Sequence, residues 1–320
     1  MNTTFRTIDR PVPGLVSVIV PVHNRLQYLA HAIRSALGQT HRRVEVIVVD
    51  DGSPKDPAPV VSQFDDRVRL IRKANGGLAS ARNFGINHAS GEYMLFLDDD
   101  DFLEPNALEN LFGAIASYPS ATWAAGLYDE VTPDGTPILS GPRYLGHGGD
   151  VYQSMIHHNL MGAPSTVLAL SHTIRTVSAF DETPCFHMAE DYDLWLKLAR
   201  HSPLAATQQK VTNYRVHGQQ FTSNHPTEMA RAVLAVLRKH QAIAPPGYEE
   251  DFRLTIARFE MELGDCCYLN GEGREARAHW KVAAEGGALG SRARCWRGVR
   301  SYLPLPVLRL LRATRKMLRV

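Results

Sequence analysis

Val16 to Val20 (Val-Ser-Val-Ile-Val) is an apolar run too short for a helix and closed by Pro21, and it predicts a buried strand. Leu26, Leu29, Ile33 and Leu37 then return at three- and four-residue intervals, the spacing of one helix face. The alternation repeats. Val44 to Val49 and Val68 to Ile71 are β-branched strand runs, Leu78 to Ala89 reads as a helix, and Tyr93 to Leu97 is a further strand. Leu108, Leu111, Phe112 and Ile115 form another helical stripe, with Pro105 placed at its first turn. Strands alternating with helices over about the first 115 residues predict an α/β fold, an open and mostly parallel sheet flanked by helices.

The pattern then changes. Residues 120–185 are rich in Gly, Pro and Ser with short strand-like pieces such as Ser165 to Leu170, and predict a mixed region, open to antiparallel pairing. A helix is expected over Ala189–Arg200, then short strands near 204–216. From about residue 226 the chain is helical, broken by Pro245-Pro246-Gly247. Leu263, Gly264, Ala276, Trp280 and Ala283 match the spacing of one tetratricopeptide-like helical pair. One repeat has no neighbour to stack on, so a helical hairpin packed on the main domain is the simpler reading. Gly271 to Ala276 imitates a dinucleotide fingerprint, but no strand precedes it, and it reads as a turn between helices. The expected layout is a lead over 1–14, the α/β domain over 15–224, a helical region over 225–300 and a tail over 301–320.

Composition changes this picture in one place. The 320 residues are 44% hydrophobic and 21% charged, ordinary for a globular protein, with a net charge of +2. Residues 291–320, however, hold nine Arg or Lys and no acid, leaving 26 basic against 33 acidic residues elsewhere. Within Leu305 to Val320, Arg309, Arg312, Lys316 and Arg319 fall on one side of a helix and Leu308, Leu311 and Leu318 on another. Such a helix fits peripheral contact with an anionic membrane; nonspecific nucleic-acid binding, or packing of the leucines on the body, are its alternatives. No specific nucleic acid is expected as a partner. Cys185, Cys266, Cys267 and Cys295 have no CxxC spacing, which disfavours a disulfide framework or structural zinc site. With no signal-peptide core in Met1–Gly14 and no bilayer-length apolar run, a cytoplasmic location is expected, extending to the inner face of the membrane if the tail binds there.

The chemistry concentrates where strands end. The first closes on Pro21-Val22-His23-Asn24, the second on Asp50-Asp51-Gly52-Ser53, and the fourth on Asp98-Asp99-Asp100-Asp101. Ligands of open parallel sheets bind beyond the carboxyl ends of the strands, so these segments are expected in one crevice. In extended chain Asp98 and Asp100 share a face while Asp99 points away. Two carboxylates on one face suit Mg²⁺ or Mn²⁺ bridging phosphate oxygens; a solvated acidic loop before a helix is the alternative.

The segments Ser17 to Asn24, Val48 to Ser53, Asn75 to Gly85 (Asn-Gly-Gly-Leu-Ala-Ser-Ala-Arg-Asn-Phe-Gly), Phe96 to Asp101 and Ala189 to Trp195 (Ala-Glu-Asp-Tyr-Asp-Leu-Trp) come in one order at regular separations. Together they resemble the family 2 glycosyltransferases, which have the GT-A fold, over about residues 15–220. The resemblance implies an inverting enzyme that moves a sugar from a nucleoside-diphosphate sugar to a glycan or lipid-linked acceptor, with Mn²⁺ or Mg²⁺, in cell-envelope or exopolysaccharide synthesis. It implies Pro21, His23, Asn24, Asp51, Arg82, Asp98 and Asp99 on the nucleotide-sugar, Asp51 at its base. Asp98, Asp100 and His217 of Tyr214-Arg-Val-His217 would be metal ligands, Asp100 foremost, and Asp191 the general base. The rival readings are, for Asp191, a simple helix N-cap; for Arg82, a solvated helix residue; for His217, an ordinary hydrogen-bonded histidine. For the whole chain they are a sugar-phosphate nucleotidyltransferase or a noncatalytic sugar-nucleotide-binding scaffold.

Overall fold

The computed structural model describes residues 11–138, 148–218 and 225–288. The basic tail, Cys295 and most of the expected lead lie outside the described residues. The chain divides into two compact units between Gln220 and Phe221.

In the first unit the expected alternation forms β1 (Val12–Val22), α1 (Leu26–Leu37), β2 (Val44–Asp51), α2 (Ala58–Val61), β3 (Val68–Lys73), α3 (Leu78–His88) and β4 (Gly91–Phe96). β5 (Phe102–Leu103), α4 (Ala107–Ser117), β6 (Trp123–Val131), α5 (Tyr152–His157), β7 (Val167–Leu170), α6 (Ser171–Thr176), α7 (Glu190–His201) and β8 (Leu204–Arg215) follow. β1 begins at Val12, inside the expected lead. The strands make one sheet in the order β3-β2-β1-β4-β7-β6-β8-β5. β1 runs parallel to β2 and β4, β2 to β3, and β6 to β8. β7 is antiparallel to both β4 and β6, so the Gly- and Pro-rich middle of the chain supplies the reversal expected there.

The central strands carry apolar side chains on both faces, which is why they read as continuous Val/Ile runs rather than alternations. Val16, Val18, Val20 and Val22 join Leu29, Ile33 and Ala36 of α1 in one core. On the other side α3 lies so close that a Cβ on Gly85 would sit 2.5 Å from Ile19 Cγ2 and 3.2 Å from Val49 Cγ2. Gly85→Ala is therefore expected to cost about 1–3 kcal/mol by overpacking. Urea unfolding with an unchanged slope and a lowered midpoint would bear this out; an unchanged midpoint would mean that α3 slides freely on the sheet.

Three local expectations change. Pro105 lies before α4 rather than in its first turn, and its carbonyl accepts the Thr40 N–H at 2.9 Å. The pieces near 204–216 form one strand, β8, because it pairs along its length with β6. β4 ends at Phe96, so the acidic run is not extended chain: the Asp101 N–H donates to the Asp98 carbonyl at 3.1 Å, closing a turn. The two-residue alternation of side chains does not apply there.

The second unit contains α8 (Pro226–Ala242), α9 (Glu249–Leu269) and α10 (Gly273–Glu285). α9 and α10 form the expected hairpin, turning at Gly271 with φ +87°. A Cβ on Gly264 would meet the Trp280 ring at 2.5 Å, so a small residue is required opposite the tryptophan, whose Nε1 donates to Asp265 at 3.0 Å. Among the described residues no helix is long and apolar enough to cross a membrane.

Candidate active site

β1 lies between β2 and β4, so the carboxyl ends of these strands are neighbours. Pro21 is buried in β1, His23 is half-buried just past its end, and Asn24 is exposed. Asp51 is buried at the end of β2, and its carboxylate is fully engaged. Oδ1 accepts Lys73 Nζ at 2.7 Å and the Gly76 N–H at 2.9 Å, and Oδ2 accepts the Gly77 N–H at 2.8 Å. The Asp51 carbonyl meets His23 Nδ1 at 3.0 Å. Asp51 thus orders the Gly-Gly turn leading into α3, a turn that needs glycine at Gly77, where φ is +85°. Asp50 accepts the Ser53 N–H at 2.8 Å and shapes the adjoining loop.

The acidic turn is divided among five partners. Asp98 accepts Arg82 Nη2 at 2.8 Å. Arg25 reaches Asp99 at 2.7 Å and Asp100 at 2.8 Å. Asp100 Oδ2 also lies 3.0 Å from His217 Nε2. Asp101 accepts Ser165 Oγ at 2.7 Å and the Arg215 N–H at 3.1 Å. Arg215 in turn donates from Nε to the Asp100 carbonyl at 2.7 Å, and its guanidinium lies over the Tyr28 and Phe102 rings. Burial, opposed by Arg25, pushes the Asp99 carboxyl up to about 7; burial and the charges of Asp100 and Asp98 hold Asp101 well above the carboxylate range. Three carboxylates of this turn and Glu190 share two guanidinium groups, Arg25 on Asp99 and Asp100, and Arg82 on Asp98 and Glu190. A hard divalent cation held by one or two carboxylates, an imidazole and substrate phosphate fits that donor set. Asp100 and His217 stand together for it, with Asp100 Oδ2 shared with Arg25, and Asp98 is paired with Arg82.

The third wall is the first turn of α7. Glu190 is buried and accepts Arg82 Nη1 at 2.8 Å and the Met188 N–H at 2.9 Å. Met188 has φ +82°, unusual for a side-chain-bearing residue and of a kind that clusters at functional sites. Asp191 is half-buried and, among the described residues, accepts only the neighbouring Tyr192 N–H, at 2.7 Å. It makes no ion pair among the described residues. It is not the N-cap either, because that position is Ala189, without a side-chain cap. Burial and the adjacent Glu190 charge push the Asp191 carboxyl up to about 7, with Arg82 pulling the other way. A carboxyl titrating near neutrality, with an oxygen uncommitted, is suited to take a proton.

Arg82 joins the two walls. It is buried, bridging Asp98 and Glu190 and stacking over Phe180 at 5.2 Å, so it is not a solvated helix residue. Burial alone would weaken its charge, but Asp98 and Glu190 more than restore it and its pKa is raised.

Lys73, Arg25, Glu190 and Arg215 also belong to this site and were not picked out from sequence. Lys73 closes the third parallel strand, and the strand-end rule applied to that strand would have found it. Arg25 directly follows the Asn24 segment. Glu190 stands in the Ala189 to Trp195 segment beside Asp191, but acids are favoured at a helix N-terminus anyway and the segment gave it no role of its own.

The family described as "Glycosyl transferase family 2" matches residues 17–158. An uncharacterized glycosyltransferase of Rickettsia typhi is 30% identical over 260 residues, covering 78% of this chain and 81% of that protein. The glycosyltransferase GlyA of Streptococcus pneumoniae is 34% identical over 152 residues, 47% of this chain and 21% of that protein. In fold, the chain resembles residues 1–349 of S. aureus TarS, solved with UDP-GlcNAc, at a TM-score of 0.57 and 16% identity over 83% of this chain and 88% of that one.

Proposed function

The chain belongs to glycosyl transferase family 2, and from that premise we propose that it is an inverting, divalent-metal-dependent transferase. It moves a sugar from a nucleoside-diphosphate sugar to a hydroxyl of a glycan or lipid-linked acceptor in cell-envelope or exopolysaccharide synthesis. The observation that carries this is the bridge by which Arg82 joins Asp98 of the acidic turn to Glu190, the chain neighbour of Asp191. Transfer needs a cation where the diphosphate leaves and a base where the hydroxyl attacks. Pro21, His23, Asn24 and the loop that Asp51 and Lys73 order form the nucleotide side. Asp98 and Asp99 border the sugar-phosphate, and Asp100 with His217 would hold Mn²⁺ or Mg²⁺. When bound, that cation neutralises charge on the leaving diphosphate. Asp191 accepts the proton of the acceptor hydroxyl as its oxygen bonds to the anomeric carbon and the bond to diphosphate breaks. Arg82 keeps the Asp98 and Glu190 charges balanced between the two sides.

The TarS complexes with UDP-GlcNAc and UDP make a uridine donor the first to test. Thermal unfolding is measured with UDP, GDP and dTDP, each with and without Mn²⁺. A nucleotide at about 100 times its Kd adds roughly 2.7 kcal/mol, about 5–10 °C for a domain of this size. One nucleotide is expected to stabilise, and only with the metal. Asp100→Asn is expected to remove the metal-dependent part. Stabilisation of that variant equal to wild type would take Asp100 out of the metal site. Pyrophosphate release from a nucleoside triphosphate would favour a nucleotidyltransferase instead.

A further inference from the structure

The α9–α10 hairpin of the second unit brings together a thiol, a carboxylate and an imidazole that the transferase reading does not use. Cys267 is buried on α9; Glu275 and His279, one turn apart on α10, face it. One ligand atom from each lies within 4.8 Å of the others, and Cys267 Sγ is 3.9 Å from Glu275 Oε2. A tetrahedral ion with ordinary Zn–S and Zn–O bonds would hold those two atoms about 3.5 Å apart, a distance reached by side-chain adjustment alone.

A second observation points the same way. His279 Nδ1 lies 2.6 Å from Glu260 Oε2, and Glu260 is itself buried and anchored by Arg238. Metal-binding histidines characteristically donate their other ring nitrogen to a carboxylate, which fixes the tautomer and leaves the opposite nitrogen for the ion. Here that leaves Nε2. A third acid, Glu272, also hydrogen-bonds the Cys267 thiol. The competing arrangement is the ion pair of Glu275 with Arg231 at 3.0 Å. It is exposed and worth at most about 1 kcal/mol, so it offers little resistance to an ion.

We propose that this hairpin is a binding site for a zinc-type transition-metal ion, held by Cys267 Sγ, Glu275 and His279 Nε2, with water or Glu272 in the fourth position. Soft sulfur with imidazole selects Zn²⁺ or Co²⁺ over the Mg²⁺ or Mn²⁺ suited to the acidic turn. Binding displaces the thiol proton to solvent and ties α9 to α10.

The test uses the full chain, untagged and freed of metal by a chelator, titrated with Co²⁺ and then Zn²⁺. A thiolate-to-cobalt charge-transfer band is expected to saturate at one ion per chain and to be bleached by Zn²⁺. The candidate metal ligands of the acidic turn, Asp100 and His217, include no thiol and contribute nothing to that band. Cys267→Ser and His279→Ala should abolish the band with unchanged helical circular dichroism, and Cys266→Ser should keep it. Glu260→Gln should weaken Zn²⁺ about 10-fold or more, as loss of an outer carboxylate does. No sulfur band in the wild-type protein, or a band that survives Cys267→Ser, overturns the proposal.

Discussion

Asp191→Asn is expected to lower turnover by at least about 100-fold, the lower end of what a positioned acid or base contributes, while leaving metal-dependent nucleotide stabilisation intact. Among the described residues the carboxylate accepts one hydrogen bond, from a backbone N–H that the amide oxygen of Asn also accepts, so the substitution keeps the shape of the α7 turn. With the carboxyl pushed up to about 7 by burial and Glu190, kcat/KM of the wild-type protein should fall as pH drops below about 7. Stability should move in the opposite sense. The folded protein holds the Asp191 proton up to about 7, whereas the unfolded chain releases it in the ordinary carboxylate range. Between those limits the folded state therefore binds more protons, and stability declines as pH rises. Asn carries no charge at any pH, so at pH 8 the variant should melt no lower than wild type. Full turnover in Asp191→Asn would remove the residue from the base role. Lost turnover with lost nucleotide binding would place it in the donor site instead.

Arg82→Met is expected to produce the largest loss of stability of any single change at the site. It would leave Asp98 and the buried Glu190 without their shared guanidinium. Breaking one side of a buried pair costs about 3–5 kcal/mol, roughly 10 °C in a unit of this size. Arg82→Lys should recover only part of this, because an ammonium is a point charge and cannot fork between two carboxylates. The triple change Arg82→Met, Asp98→Asn, Glu190→Gln should recover more, since it removes the stranded charges together with their partner. Differential scanning calorimetry of the set separates the cases. If Arg82→Met and the triple variant melt alike, the guanidinium acts by packing on Phe180 rather than by charge.

Much of the frame was legible beforehand because it follows from short-range physics. Val16 to Val20 must bury on both faces, Leu26 to Leu37 must bury one stripe, and the strand-end rule then gathers His23, Asp51 and Asp98 to Asp101 at one edge. The helical pair at Gly264 and Trp280 was legible from its tetratricopeptide-like spacing, and the structure supplies the physical reason: a ring that large needs a gap opposite it. The geometry of Asp98 and Asp100 was misjudged because β4 stops at Phe96, and nothing in four consecutive aspartates marks where extension ends. Arg82 was legible as a site residue but not as a buried bridge, since Glu190 lies far along the chain.

The sequence by itself determined which segments become strands and helices, their order, the family, and the acids around which chemistry is possible. These are encoded locally, in periodicity and in motifs of neighbouring residues. Only the tertiary structure decided which cation meets which acid: Arg25 with Asp99 and Asp100, Arg82 with Asp98 and Glu190, Lys73 with Asp51. It also decided that, among the described residues, Asp191 stands without an ion pair. Pairing, burial and the resulting proton affinities depend on distances through space, and a linear pattern of charges leaves those distances open until the sheet brings the strand ends together.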